Sequence, residues 1–309
     1  MAKIVPLTGC QKELWLSAKA ALSDYAETSI RGCYHIDALL DPDLLRQAIK
    51  RTLHFTPLPA ASLCQDEAEP YFLVGEPQEP DFRVLDAATQ PDPDAAADRM
   101  IDEFFEEPVE NPLMRYALVI TGAARCFVAM KCSHVVLYGL AFFFHIAVIA
   151  DVYTALARGE TPDLGEPCSC EEAYLEDQAH CASPRFQKDM AFWQEHLARL
   201  PEKRLLRALP GRPDVLGESR HQKFVLSEKA SRETSALIAS HKVSPAVFFT
   251  GVYALSVAFM SGEKDIVALA PVAYGERKVL YRRQGAMMSL PPLLVNVAAH
   301  DTFAGLLEA

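Results

Sequence analysis

At 309 residues, half of them hydrophobic, the chain is too long for one ordinary core and long enough for two lobes of ordinary size. Its 41 acidic against 30 basic residues give a formal charge of −11, and no run of Lys and Arg interleaves with aromatics to follow a phosphate backbone, so no nucleic-acid partner is expected. Met1 to Thr8 lacks the apolar core and cleavage site of a signal peptide. Val135 to Ala150, interrupted by Tyr138, Gly139 and His145, reads as too short to span a bilayer, so a soluble cytoplasmic protein without a membrane partner is expected.

Thr8-Gly9-Cys10-Gln11 fits a capping box, and Leu14, Trp15, Ala18, Leu22 and Tyr25 follow at helical spacing. Cys33 to Ile36 reads as a short strand. Asp41-Pro42 then supplies an N-cap and a first-turn proline for a helix carrying Leu44, Leu45, Ile49 and Leu53, which stops before Pro57 and Pro59. Tyr71 to Val74 and Phe82 to Leu85 read as strands and Ala95 to Glu106 as an amphipathic helix. Leu113 to Ile120 pairs with Arg125 to Cys132 through a tight Thr121-Gly122 turn. Leu140 to Leu156 is a long apolar segment with the length of a buried helix.

Between Gly159 and Pro184 apolar periodicity disappears and Pro, Gly, Glu, Cys and Ser dominate, which marks a linker with room for a short helix near Ala173. The division is therefore 1–165, 166–182 for the linker, and 183–309. In the second part a helix opens at Ser183-Pro184 with Phe192 and Trp193 on its buried side, and His221 to Leu226 alternates as a strand. Ser227 to His241 and Pro245 to Met260 follow as helices. Asp265 to Ala270 and Leu290 to Val297 are strand candidates, the latter interrupted by Pro291-Pro292.

The eight cysteines read as free thiols in a reducing compartment. Cys168, Cys170, His180 and Cys181 offer zinc-type ligands, but Cys-x-Cys followed by adjacent His-Cys lacks the spacing that closes round a tetrahedral ion, and no metal is expected there.

One stretch carries the candidate chemistry: Lys131-Cys132-Ser133-His134-Val135-Val136-Leu137-Tyr138-Gly139. His134 falls where a strand ends and a helix is about to begin, a place that faces the free N–H groups and positive end of the helix dipole. The competing reading is a satisfied core histidine.

These residues resemble the condensation domains of nonribosomal peptide synthetases, relatives of chloramphenicol acetyltransferase that share H-H-x-x-x-D-G. Here Ser133, His134, Tyr138 and Gly139 stand at its four fixed places, so the second His and the Gly match. Leu7-Thr8-Gly9-Cys10-Gln11-Lys12-Glu13-Leu14-Trp15 is similar to the opening S-x-A-Q-x-R-L-W, and Phe192-Trp193-Gln194-Glu195-His196-Leu197 to the Y-W-x-x-x-L helix. Gly285 to Val295 aligns without gaps on G-x-F-V-N-T-L-P-L-R-V. The resemblance implies an α/β fold of two acetyltransferase-like lobes forming a V, the second shortened at its C-terminal end.

It further implies that peptidyl or acyl carrier proteins present a thioester donor and an amine acceptor on phosphopantetheine arms, which are substrates; no cofactor is bound intrinsically. His134 would handle the amine, and N–H groups near Gly139 the oxyanion. Several family residues are replaced: Tyr138 stands for the Asp, Leu53-His54-Phe55-Thr56-Pro57-Leu58 for R-H-E-x-L-R, and Leu294 for an Arg. Arg277, in a segment whose spacing has shifted, is the candidate surviving arginine near the motif. Three readings follow: a condensation-type acyltransferase forming an amide, a catalytically silent relative that binds carriers or recruits a tailoring enzyme, and a stand-alone acyltransferase using acyl-CoA.

Overall fold

The computed structural model describes residues 2–20, 29–66, 69–109, 111–200, 224–273 and 288–308. Helices and strands combine in an α/β fold. The chain divides into two compact units, Met1–Phe186 with Val272–Ser289, and Gln187–Pro271 with Leu290–Ala309.

The first unit contains, in order, β1 (Lys3–Pro6), α1 (Gly9–Ala20), β2 (Ser29–Ile36), α2 (Pro42–Phe55), β3 (Ser62–Gln65), β4 (Pro70–Val74), β5 (Asp81–Asp86) and α3 (Pro93–Glu106). It continues with β6 (Met114–Gly122), β7 (Arg125–Ser133), α4 (Gly139–Ala157) and α5 (Glu172–Cys181). Caps set the helix starts. Asp41 Oδ1 accepts the N–H groups of Asp43 and Leu44 at 2.8 and 3.0 Å at the head of α2. Asp92 Oδ1 accepts that of Ala95 at 3.1 Å, so α3 begins at Pro93, ahead of the expected Ala95.

The main sheet has the order β2-β7-β6-β5. All pairs are antiparallel except β5 with β6, which α3 connects as a crossover. Alternation along each strand separates two faces. Tyr116, Leu118, Val128 and Met130 join Ile49 and Leu53 of α2 and Phe142 and Ile149 of α4 in the main core. On the opposite face Val119 meets Ala96, Ala97 and Ile101 of α3, while Ala117 and Ala129 meet Phe104.

Beside this second face one register row reads Arg31, Lys131, Arg115, Asp81 across the four strands. Three cations in a row repel one another. The C-terminal end of α3 offsets this: Lys131, 2% exposed, donates to the carbonyls of Phe105 and Glu107. Arg115 pairs with Asp81 at 2.7 Å and Glu107 at 2.6 Å. Burial, then the charges of Arg31 and Arg115, lowers the Lys131 pKa.

The β6–β7 turn lies beyond the expected Thr121-Gly122, at the next two residues. Gly122 pairs with Arg125 after a bulge between Ile120 and Gly122, leaving Ala123-Ala124 as the turn. Two edge strands without a marked pattern, β1 and β3, flank β4 in a second sheet of order β1-β4-β3.

Close approach of α4 to β2 depends on Gly32, where an added Cβ would stand 2.7 Å from Phe142 Cε1 and 3.0 Å from Tyr34 Cε2. Phe142 is 2% exposed and has no room to retreat. Gly32→Ala is therefore expected to lower stability by about 1–3 kcal/mol in urea unfolding, and Phe142→Leu to recover part of it. Strict additivity of the two changes would show that the ring is not what the methyl meets.

By length and composition α4, at 19 residues, is apolar enough to cross a membrane, more than was expected of Val135 to Ala150. In this unit its Ala141, Phe142, His145, Val148, Ile149 and Val152 face is buried. The stretch expected as a linker folds as α5 and packs onto the first unit: Gly9 donates to Asp177 Oδ2 at 3.0 Å, and the Cys168 N–H donates to the Phe55 carbonyl at 2.8 Å.

Beyond it come α6 (Pro184–Ala198), α7 (Glu228–His241), α8 (Pro245–Ser261), β8 (Asp265–Leu269), β9 (Val272–Ala273), β10 (Met288–Ser289), β11 (Pro292–Asn296) and α9 (Phe303–Glu308). The β9–β10 pair groups with the first unit, although its residues follow the second in sequence. In the second unit β8 and β11 pair antiparallel, with Ile266 packed on Ala254 and Val257 of α8. Gly251 lets α9 approach: a Cβ there would lie 2.9 Å from Leu307 Cδ2. The strand expected over His221 to Leu226 is not formed in its described part. Phe224, Val225 and Leu226 are irregular and exposed, since alternation makes no strand without a neighbour to pair with; 221–223 lie outside the described residues.

Candidate active site

β7 delivers His134. The Ser133 N–H donates to the Leu113 carbonyl at 2.9 Å, the last tie of the β6–β7 pair, and the chain then turns. The Val136 N–H closes the turn on the Ser133 carbonyl at 3.2 Å, and the Val135 N–H reaches Ser133 Oγ at 3.4 Å. Leu137 and Tyr138 lead into Gly139, the first residue of α4. Tyr138, at the N-cap, has extended backbone and no capping bond from its side chain, so that side chain does not occupy the first-turn N–H groups. Gly139 is exposed, with open space about its Cα. Ser133, His134, Tyr138 and Gly139 thus meet at one strand–helix junction, as the motif spacing implies. Arg277 lies outside the described residues.

His134 is half-buried, and its Nδ1 is shielded from solvent without a hydrogen-bond partner among the described residues. Among the described residues no hydrogen bond at Nδ1 orients the ring, which leaves the turn backbone to carry it. Tyr138 is 2% exposed and belongs to the same core cluster as Val135, Val136, Leu137 and Phe142. An aromatic ring fills the place where the family motif has a carboxylate.

Sequence reasoning saw Gln11 as a helix cap. Its N–H indeed donates to Thr8 Oγ1 at 3.2 Å and its Oε1 accepts the Thr8 N–H at 2.9 Å, but Nε2 also donates to the Val135 carbonyl at 3.0 Å. The α1 terminus is thereby tied to the residue after His134. Cys132 is not a candidate nucleophile, because burial pushes its thiol up and keeps it protonated. Burial likewise pushes Cys170 up to about 12. Among the described residues, which include Cys168, Cys170, His180 and Cys181, no three His, Cys, Asp or Glu side chains gather as a metal site.

The core histidine is His145. It is 1% exposed; its Nδ1 lies 3.0 Å from Thr56 Oγ1 and its Nε2 2.8 Å from Tyr116 Oη. The Thr56 hydroxyl already donates to the Thr52 carbonyl at 2.9 Å, so it accepts from His145 Nδ1–H, and Tyr116 donates to Nε2. Burial raises the Tyr116 pKa, keeping the donor a phenol, and lowers that of His145 to about 3.

The unfolded chain therefore binds a proton at this histidine below its usual value of 6.5, whereas the folded chain resists until about 3; stability falls as pH drops through that window. In His145→Gln the acid decline of the unfolding free energy should lose one proton's slope, about 1.4 kcal/mol per pH unit. An unchanged slope would mean that His145 is protonated in the native protein.

The first unit thus clasps a sheet between helices and presents a histidine at a strand–helix junction. A model of the condensation domain family matches residues 1–309, and the chain belongs to that family. It is 26% identical to surfactin synthase subunit 1 of Bacillus subtilis (strain 168), over 97% of this chain and 8% of that protein. It is 26% identical to a dimodular nonribosomal peptide synthase of the same organism, over 98% of this chain and 13% of that one. The chain thus spans a small part of the curated relatives it matches. Among solved structures it is similar to the first condensation domain of the calcium-dependent antibiotic synthetase, with a TM-score of 0.82, 23% identity, and coverage of 99% of this chain and 73% of that one. A starter condensation domain of rhizomide synthetase matches with a TM-score of 0.80 at 21% identity, over 99% of this chain and 69% of that one.

Proposed function

We propose that this condensation domain forms an amide between a carrier-bound acyl thioester and an amine. The observation that carries the reading is His134, half-buried at the end of β7 beside the start of α4. His134 Nε2 accepts the proton of the attacking amine or holds that amine in line. The N–H groups of the first turn of α4, from Gly139 onward, stabilise the oxyanion of the tetrahedral intermediate with the positive end of the helix dipole. The C–N bond forms first to give that intermediate, the C–S bond breaks as it collapses, and the proton taken from the amine leaves with the thiol. Donor and acceptor arrive on phosphopantetheine arms of carrier proteins in the cytoplasm, and no metal or other cofactor takes part.

Two other readings have an observation each. Tyr138, buried in place of the family's Asp, fits a silent domain that only binds carriers or recruits a tailoring enzyme. The rhizomide starter domain was solved with C8-CoA and Leu-SNAC, which fits a diffusible acyl-CoA donor. Mass spectrometry of reactions with acyl-loaded carrier or acyl-CoA and a panel of amines separates all three. Amide product from the carrier supports the proposal, product from acyl-CoA alone transfers it to the soluble donor, and carrier binding without product leaves the silent reading.

A further inference from the structure

We infer that Gln11 is a positioning residue for His134, an inference that rests on the proposed role of His134 as the catalytic base. The ring of His134 has a buried Nδ1 with no partner among the described residues. Its orientation is therefore inherited from the turn that carries it, and that turn is tied to the rest of the first unit on both sides of the histidine: by the pairing of Ser133 with Ser29 of β2 and the Ser133 N–H to the Leu113 carbonyl, 2.9 Å, before it, and by Gln11 Nε2 to the Val135 carbonyl, 3.0 Å, after it. The ties before it are sheet contacts that β7 makes whatever follows. The tie after it comes from a side chain 124 residues away in sequence and holds the residue that follows the histidine.

Gln11 is suited to this. It is 3% exposed, and its amide oxygen and backbone N–H are both engaged with Thr8, which leaves Nε2 one direction in which to point. A cap alone needs only the oxygen. The amide nitrogen couples the helix cap to the catalytic turn, so the capping box here has a second use.

The test uses the full chain with an acyl-N-acetylcysteamine donor and an aminoacyl-N-acetylcysteamine acceptor, and follows the His134 imidazole signals in nitrogen-labelled protein. Gln11→Ala is expected to fold, to lose kcat by about 10²-fold with KM near that of the parent, and to broaden or double the His134 ring signals. Thr8→Val removes the hydroxyl cap but leaves the tie to Val135, so it should leave kcat and the ring signals near the parent even where it lowers the melting temperature. If Gln11→Ala does not fold, Gln11→Met keeps the volume of the side chain and carries the same expectations.

Ring signals and kcat in the Gln11 variants that match the parent, while His134→Ala is inactive, overturn the inference. Full activity in His134→Ala instead overturns the reading of His134 as base; the ring signals then still decide whether Gln11 holds the turn.

Discussion

His134→Ala is expected to reduce acyl transfer by about 10²–10⁴-fold, the usual range for a positioned acid–base group, and to leave the melting temperature within a few degrees. The two halves of this expectation have one structural cause. The ring is half-buried, packs at the rim of the sheet, and leaves Nδ1 unsatisfied among the described residues, so deleting it removes little contact and also one desolvated polar atom. Stability should therefore be nearly neutral, in contrast to the buried His145, whose two hydrogen bonds would each be broken. Measured kcat and a melting curve on the same preparation check both halves. A variant that turns over like the parent would assign the chemistry to residues other than His134.

The site was legible in sequence only as far as local pattern reaches. The strand over Arg125 to Cys132, the apolar helix after Gly139 and the histidine between them follow from alternation and helix length, and the structure extends β7 by one residue to Ser133. The caps at Asp41 and Ser183 were equally readable: each accepts first-turn N–H groups with its side chain, Ser183 Oγ from Phe186 at 3.3 Å. β1 and β3 were not legible, because four-residue edge strands draw their order from pairing with β4 and have no pattern of their own.

The same limit hid the second bond of Gln11. Its acceptor is a main-chain carbonyl, which every residue has, so nothing in the sequence marks Val135 as the partner. The cationic row of Arg31, Lys131 and Arg115 was hidden likewise, since register alone brings it together and the stabilising carbonyls belong to the end of α3.

The largest expected loss of stability comes from restoring the family's carboxylate at Tyr138. Tyr138→Asp would place an ionisable group where the native ring is 2% exposed among Val135, Val136, Leu137 and Phe142. Removing an aromatic side chain of this burial costs about 3–5 kcal/mol in lost transfer and cavity terms. The carboxylate then either takes up a proton, with its pKa raised by desolvation, or remains charged without an assured counter-ion, at a further cost of several kcal/mol. In a protein of this size such a loss lowers the melting temperature by about 10 °C or more.

The one route to rescue is an arginine, and the sequence candidate is Arg277, which lies outside the described residues. Melting curves of Tyr138→Asp with and without Arg277→Ala decide the matter. Equal and large losses in both show that the acid finds no partner and that the ring is integral to the rebuilt junction. A stable single variant that collapses only when Arg277 is removed would show that the guanidinium reaches this loop, and that the exchange of Asp for Tyr is reversible by one substitution. Activity should not rise in the first case, because a carboxylate held neutral in an apolar pocket neither shapes the turn nor adds charge at His134.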